Sequence, residues 1–344
     1  MPPARKRVTL QQIAHQVDLS PSAVSYALRG MHVAKETEER VRRVADELGY
    51  TADPIARALA SGRTGMIGVL CASLADLWQQ RVSASLGRAL LERDLFALIV
   101  DSAGDPVREL ALARQLRDQR VDGLIVSPLD PSAGLWAELE NAMPLVAIGD
   151  SLTGVRPRGE VLYDNNAGVS LALGHLAALG HRRLGVLTPS QNVRPNRPTE
   201  VYVEQAATRL GLQVRFVTSP HWLPEATAAA HEVLGLRPRP TAVFCFSDSI
   251  AHGAYAAARD LGLAIPQDVS IVGYDDQPVS GLLSPALTTV GWDIDRLVRA
   301  ATDFLVAAVR GGRRRRLVLQ PRLVQRESTA RPLREHREKQ AAAG

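Results

Sequence analysis

Apolar positions in the first sixty residues fall at helical spacing and never in an alternating run. Leu10, Ile13, Ala14 and Val17 stand at offsets of three, four and seven, one face of a helix that Thr9 can cap. Ser20 caps a second helix with Pro21 in its first turn and Ala23, Val24, Ala27 and Leu28 as its apolar stripe. Only Asp18 and Leu19 separate the two. A third amphipathic helix covers about 36–48, burying Val41, Val44, Ala45 and Leu48, and Gly49 ends it. Asp53 and Pro54 then open one or two turns, "PIARALA", which Gly62 and Gly65 stop. Alone, so short a helix is marginal, because nucleation costs more than its few hydrogen bonds return.

From Met66 the period changes. "MIGVL", "FALIV", "GLIVSP", "LVAIG", "RLGVLTP", "VRFVTS", "AVFCFS" and "SIVGYDD" are short apolar strands separated by helical segments. Alternating βα units imply parallel sheets covered on both faces, closed into one barrel or wound as two lobes. The two tightly joined N-terminal helices have the helix-turn-helix pattern, in which the second helix enters a DNA major groove.

Composition narrows the class. Of 344 residues, 46% are hydrophobic and 22% charged, as in a folded globular protein of two or three domains. No apolar run is long enough to span a bilayer, and no apolar signal core follows Arg5, Lys6 and Arg7, so a cytoplasmic protein without a membrane role is expected. Cys71 and Cys245 sit in strand-like runs and read as reduced core residues. Net charge is +3 over residues 1–65, −6 over 66–309 and +8 over 310–344. That asymmetry suggests a polyanion-binding end on a more neutral body, with Arg313 to Arg316 reading as a solvated basic loop before the strand-like "LVLQPRLV".

Four ordered segments carry a resemblance: "VTLQQIAHQVDLSPSAVSYAL…ETEERVRRVADELGYTADPIARALASGRTGMIGVL", "DPVRELALARQLRDQRVDGLIVSP", "DNNAGVSLALGHLAALGHRRLGVL" and "DLGLAIPQDVSIVGYDDQPVSGLLSPALTTV". Over residues 8 to about 330 the chain resembles the lactose-repressor and galactose-repressor (LacI/GalR) family of transcription regulators. The resemblance implies an all-α helix-turn-helix DNA-binding head (1–50), a hinge helix and linker (51–64) and a two-lobed α/β core (65–330). That core would be periplasmic-binding-protein-like, with doubly wound parallel sheets, and would be followed by a basic tail (331–344). It also implies a homodimer on a palindromic double-stranded DNA operator, tuned by a sugar or sugar-like effector. No leucine heptad follows residue 330, which favours a dimer over a tail-mediated tetramer.

Direct readout needs side chains at the exposed start of the second helix, here Ser20, Pro21, Ser22, Ser25 and Tyr26, with Thr9, Leu10, Arg29 and Arg63 as further DNA contacts. Tyr26 stands where the family commonly has Arg, which removes the usual bidentate partner for guanine. Asp18 replaces a small turn residue that the family prefers, and Asp53 replaces Asn. By resemblance Leu59 wedges into the minor groove while Ala56 lets paired hinge helices approach. For the effector, polar residues after apolar strands select Ser73, Asp101, Asp150, Ser247, Asp248 and Asp275. Trp222 matches a ligand-stacking position, and Trp78 lies in the segment Asp76 to Gln79 that replaces the family's cleft-closing "N-P-F-[FY]". The family's clamping Arg aligns with Thr199, which leaves Arg197 as the substitute.

"GDSL" at Gly149 to Leu152 resembles a serine-hydrolase nucleophile block, but no histidine has Asp three positions before it, so the usual base partner is missing. A small-molecule-binding protein without a DNA role would lack residues 8–62. No Cys/His/carboxylate group has metal-ligand spacing and no phosphate cradle is present, so no enzyme, metal or cofactor is expected.

Overall fold

Each periodicity builds its own unit. The computed structural model describes residues 8–28, 30–31, 33–50, 62–189 and 198–333, and the chain divides between Thr64 and Gly65. In the first unit, α1 (Leu10–Val17), α2 (Pro21–Leu28) and α3 (Lys35–Glu47) enclose Ile13, Ala14, Val17, Val24, Ala27, Val41 and Ala45. The turn between α1 and α2 is made by Asp18 in left-handed geometry (φ 53°, ψ 49°), so a carboxylate residue serves where glycine would cost nothing. Residues 51–61 of the expected hinge and linker (51–64), with Ala56 and Leu59, lie outside the described residues. So do Arg29, Arg197 and the tail beyond 333.

The second unit resolves the choice between barrel and lobes, because its strands form two six-stranded sheets. The first contains β1 (Met66–Cys71), β2 (Phe96–Asp101), β3 (Gly123–Val126), β4 (Leu145–Gly149), β5 (Gly159–Tyr163) and β11 (Arg315–Leu319), in the order β11-β5-β4-β3-β1-β2. The second contains β6 (Arg183–Pro189), β7 (Gln213–Ser219), β8 (Ala242–Cys245), β9 (Ser270–Asp275), β10 (Thr288–Gly291) and β12 (Arg322–Val324), in the order β12-β10-β9-β8-β6-β7. Among the described residues every pairing is parallel except β10 with β12.

The chain passes between lobes three times: after Tyr163, around Trp292, and between Leu319 and Arg322. The strand-like "LVLQPRLV" is therefore two strands of different sheets.

Several helices of the core start where a strand's carboxyl end is followed by a capping side chain. Asp105 accepts from Val107 N (2.8 Å) to open α5 (Pro106–Asp118), and Asp164 from Ala167 N (3.0 Å) to open α7 (Asn165–Leu179). Asp76 opens α4 (Leu77–Leu91) and Ser247 opens α10 (Asp248–Asp260). These caps place polar groups at the strand ends that face the other lobe. Among the described residues no helix is long and apolar enough to cross a membrane. Cys71 and Cys245 are free and buried in different lobes, and burial raises both thiols.

Candidate DNA interface and interlobe cleft

On α2 the apolar stripe and the outward face separate cleanly. Val24 and Ala27 are buried, while Pro21, Ser22 and Tyr26 are exposed and Ser25 is half-buried. Tyr26, 43% exposed, is the one large ring on this face and can reach a base edge or a phosphate. Ser20 is already engaged, since its Oγ accepts from Ala23 N at 3.1 Å as the helix cap. Thr9 N donates to Gln12 Oε1 (2.8 Å), which fixes the start of α1, and Leu10 packs on the core of the head. Arg63 is exposed.

Between the lobes a cavity is lined by Ala72, Ser73, Asp76, Gln79, Gly104 and Leu129 of one lobe and by Pro220, His221 and Trp222 of the other. Trp222 is 64% exposed and offers a free aromatic face. A polar seam crosses the cleft here. Ser249 Oγ donates to Asp76 Oδ1 (3.2 Å), Leu77 N donates to Ser249 Oγ (3.2 Å), and His221 Nδ1 lies 3.2 Å from Ser247 Oγ and 3.7 Å from Asp76. Further along, Arg81 Nη1 donates to Asp276 O (3.3 Å).

Behind the cavity, where the chain crosses between lobes, the space is filled by rings. Trp78 and Tyr163 meet edge-on at 6.1 Å with Trp78 Nε1 donating to Tyr163 Oη (3.0 Å). Tyr163 lies 4.9 Å from Trp292, Trp292 lies 5.7 Å from Tyr274, and Tyr274 lies 5.6 Å from Phe246. Burial, reinforced by the charges of Asp275, Asp76 and Asp150, raises the Tyr163 hydroxyl. Asp275 is held with φ 106° and Asp276 with φ 51°, two consecutive left-handed residues without glycine's freedom. Asp276 is fixed by Arg326 (2.6 Å) and Arg322 (3.5 Å). Burial raises the Asp275 carboxyl well above the usual range, and the Asp76 and Asp248 charges add to the effect.

The candidate effector residues thus separate. Ser73 and Trp222 line the cavity, Asp275 and Trp78 are buried and do not line it, and Asp150 is exposed. Asp101 caps a turn, accepting from Ala103 N (2.8 Å) and Leu74 N (3.2 Å). Ser247 caps α10, accepting from Ile250 N (3.1 Å). Asp248, fully buried, accepts from Gln277 N (2.7 Å), Ser280 Oγ (2.6 Å) and Thr289 Oγ1 (2.6 Å), all from its own lobe. Sequence reasoning had no signal for His221 or for the Tyr163–Trp292 pair, since single residues near strand ends carry no pattern. The hydroxyl of Ser151 in "GDSL" donates to buried Glu160, a structural acid with no imidazole in attendance among the described residues.

Under the cavity, buried Glu109 of α5 accepts from Leu129 N at 2.7 Å, and burial pushes its carboxyl up from 4.5 to about 7. The folded value lies above the unfolded one, so neutral Glu109 contributes stability fully below about 4.5, and the contribution is lost as pH rises through about 7. Glu109→Gln keeps an acceptor for Leu129. Its melting temperature relative to the natural protein is expected to climb between pH 5 and pH 8, by an amount equivalent to roughly 2–3 kcal/mol. A gap between the two proteins that stays flat with pH would show that Glu109 does not titrate in this way.

A family model described as a periplasmic binding protein-like domain matches residues 173–329. The ribose operon repressor of Haemophilus influenzae is 32% identical over 93% of this chain and 98% of its own length. The HTH-type transcriptional repressor PurR of Klebsiella pneumoniae is 28% identical over 94% of this chain and 97% of its own. Among solved structures, the lac repressor dimer bound to operator and an anti-inducer superposes with TM-score 0.82 at 25% identity, covering 94% of this chain and 100% of that one. A complex of the transcriptional regulator CelR with cellobiose gives TM-score 0.67 at 26% identity, with 94% and 100% covered.

Proposed function

The chain belongs to the lactose-repressor/galactose-repressor family of transcription regulators, and on that premise we propose that it is a cytoplasmic, homodimeric repressor whose grip on a palindromic operator is set by a small molecule in the interlobe cleft. The observation that carries this is the exposed face of α2, with Ser22 and Tyr26 outward, on a three-helix head that precedes a two-lobed core. Each head reads one half-site in the major groove, and Ser25 with Arg29 completes the contact set. Between them Leu59 of each protomer wedges into the minor groove, with Ala56 allowing the hinges to approach and Arg63 neutralising phosphate.

The effector is sugar-like in this reading. Ser73 and Trp222 give a hydroxyl partner and a stacking face, while Asp275, Asp150 and Arg197 bind further hydroxyls as the lobes close. Ligand binding changes the lobe angle and thereby the spacing of the hinges, a coupling between two sites that is reciprocal by thermodynamic necessity. The neighbour that holds cellobiose supports this choice of ligand class.

Selection of bound duplexes from a random pool with the full-length protein tests the reading. An inverted repeat with half-sites about one helical turn, roughly 10 bp, apart is expected. Recovery of salt-sensitive binding with no preferred sequence would remove the role given to α2.

A further inference from the structure

The arginine run before β11 is not absorbed by the helix-turn-helix head or by the cleft. Its position is defined by the first sheet. All strands of that sheet run parallel, so the starts of β1, β3, β4, β5 and β11 share one end. The chain enters the unit at that end, where Gly65 N donates to Asp122 Oδ2 (2.9 Å) and Gly65 O accepts from Phe96 N (2.8 Å). Helix α11 (Ile294–Val309) returns to the same end and is capped by Arg310, and Gly311 (φ 79°) turns the chain into β11. The tether of the DNA-reading head and the arginine run therefore lie at one end of one sheet. They are four strand spacings apart, roughly 19 Å.

Arg310, Arg313, Arg314, Arg315 and Arg316 are all exposed, and β11 is the edge strand. The segment paired with it adds exposed Arg156 and Arg158, with Arg315 N donating to Arg158 O at 3.0 Å. Among the described residues the ion pairs of the run end on one carboxylate, buried Glu160, which holds Arg314 at 2.5 Å and Arg316 at 4.0 Å. Arg315 lies over the Phe304 ring at 5.9 Å. A charged edge strand discourages pairing with other chains, but one or two charges do that, and it does not account for Arg156, Arg158 and Arg310 on neighbouring segments. All seven cations are arginines, whose planar fork suits phosphate oxygens better than a lysine's point charge. The body between residues 66 and 309 carries −6, so duplex DNA would repel it wherever no basic surface intervenes.

Resting on the DNA-binding reading above, we propose that Arg313, Arg315 and Arg316, with Arg156 and Arg158 beside them, form a second DNA contact that grips the phosphate backbone flanking the operator without reading its sequence.

The test uses the full-length protein and fluorescence anisotropy across 50–200 mM salt. The duplexes are the selected operator with and without about one helical turn of flank, and a scrambled duplex of the longer length. R313Q/R315Q/R316Q leaves the Arg314–Glu160 pair in place, and its melting temperature reports that it is folded. Its slope of log affinity against log salt on the flanked and scrambled duplexes is expected to be shallower by about 2.7 per protomer, one phosphate for each arginine. The rank order of sequences should not change, the trimmed operator should show no difference, and R313K/R315K/R316K should restore the slope. A glutamine variant with the natural slope on flanked DNA overturns the proposal, as does one whose loss persists on the trimmed site. If no preferred duplex exists, the head assignment fails instead, and the slope on scrambled DNA still decides the arginine surface.

Discussion

Asp248→Ala is expected to destabilise the core by about 3–5 kcal/mol, because it strands three buried donors at once. Gln277 N, Ser280 Oγ and Thr289 Oγ1 converge on this carboxylate from the loop after β9 and from β10, so one acid ties together segments about 30 and 40 positions further along. Gly273 shows how tightly the acid is fitted, since a Cβ there would collide with Asp248 Oδ1. Burial raises Asp248 from 3.8 to about 6, against the pull of its three donors. Urea denaturation reads the effect as a lower midpoint at unchanged slope. Asp248→Asn, which keeps an acceptor, should lose distinctly less. A midpoint for Asp248→Ala equal to that of the natural protein would return this residue to the effector site.

Trp78→Ala is expected to cost a similar 3–5 kcal/mol and to lower the melting temperature by roughly 6–10 °C. Trp78 is 3% exposed, and its ring begins the aromatic layer that continues through Tyr163, Trp292, Tyr274 and Phe246. Removing it opens a void between the lobes and leaves Tyr163 Oη without the Nε1 donor at 3.0 Å. The near-ultraviolet circular dichroism of the coupled rings should weaken along with stability. Natural stability in the variant would mean that the layer closes over the gap and that the crossings do not depend on it.

The sequence pattern showed the eight apolar strands and the three head helices, because each has an uninterrupted period. It did not show β5 or β10, and it ran β11 and β12 together as one strand-like stretch. Within β5 stands Glu160, which is fully buried while Arg314, far along the chain, pairs with its charge and Ser151 donates a hydrogen bond to it. A charge with a distant partner hides a strand from any local pattern. In β10, Thr288 and Thr289 are buried through hydroxyl bonds to residues about 40 positions away, so "TTVG" reads as polar. The candidate effector set was partly legible for a related reason. The rule that selects polar residues after strands also selects helix caps, and Ser247 is a cap while Asp101 and Asp248 brace loops of their own lobes. Ser73 satisfies the same rule and does reach the cavity, as does Trp222, which the family resemblance and not the rule had singled out. Nothing local separates the two outcomes, because the donors that claim an acid come from elsewhere in the chain.

Both sheets are finished by the same late stretch: β11 (Arg315–Leu319) takes the outer place in one and β12 (Arg322–Val324) in the other. A growing polypeptide has made β1 to β5 by Tyr163, yet it must wait about 150 residues more for β11, roughly 10–30 s at usual synthesis rates. The head closes its core within residues 8–50 and needs none of this. A ribosome that stalls before Arg315 therefore releases a product with a finished nucleic-acid reader and two open-edged sheets, a species for proteases to clear before its bare strands find one another.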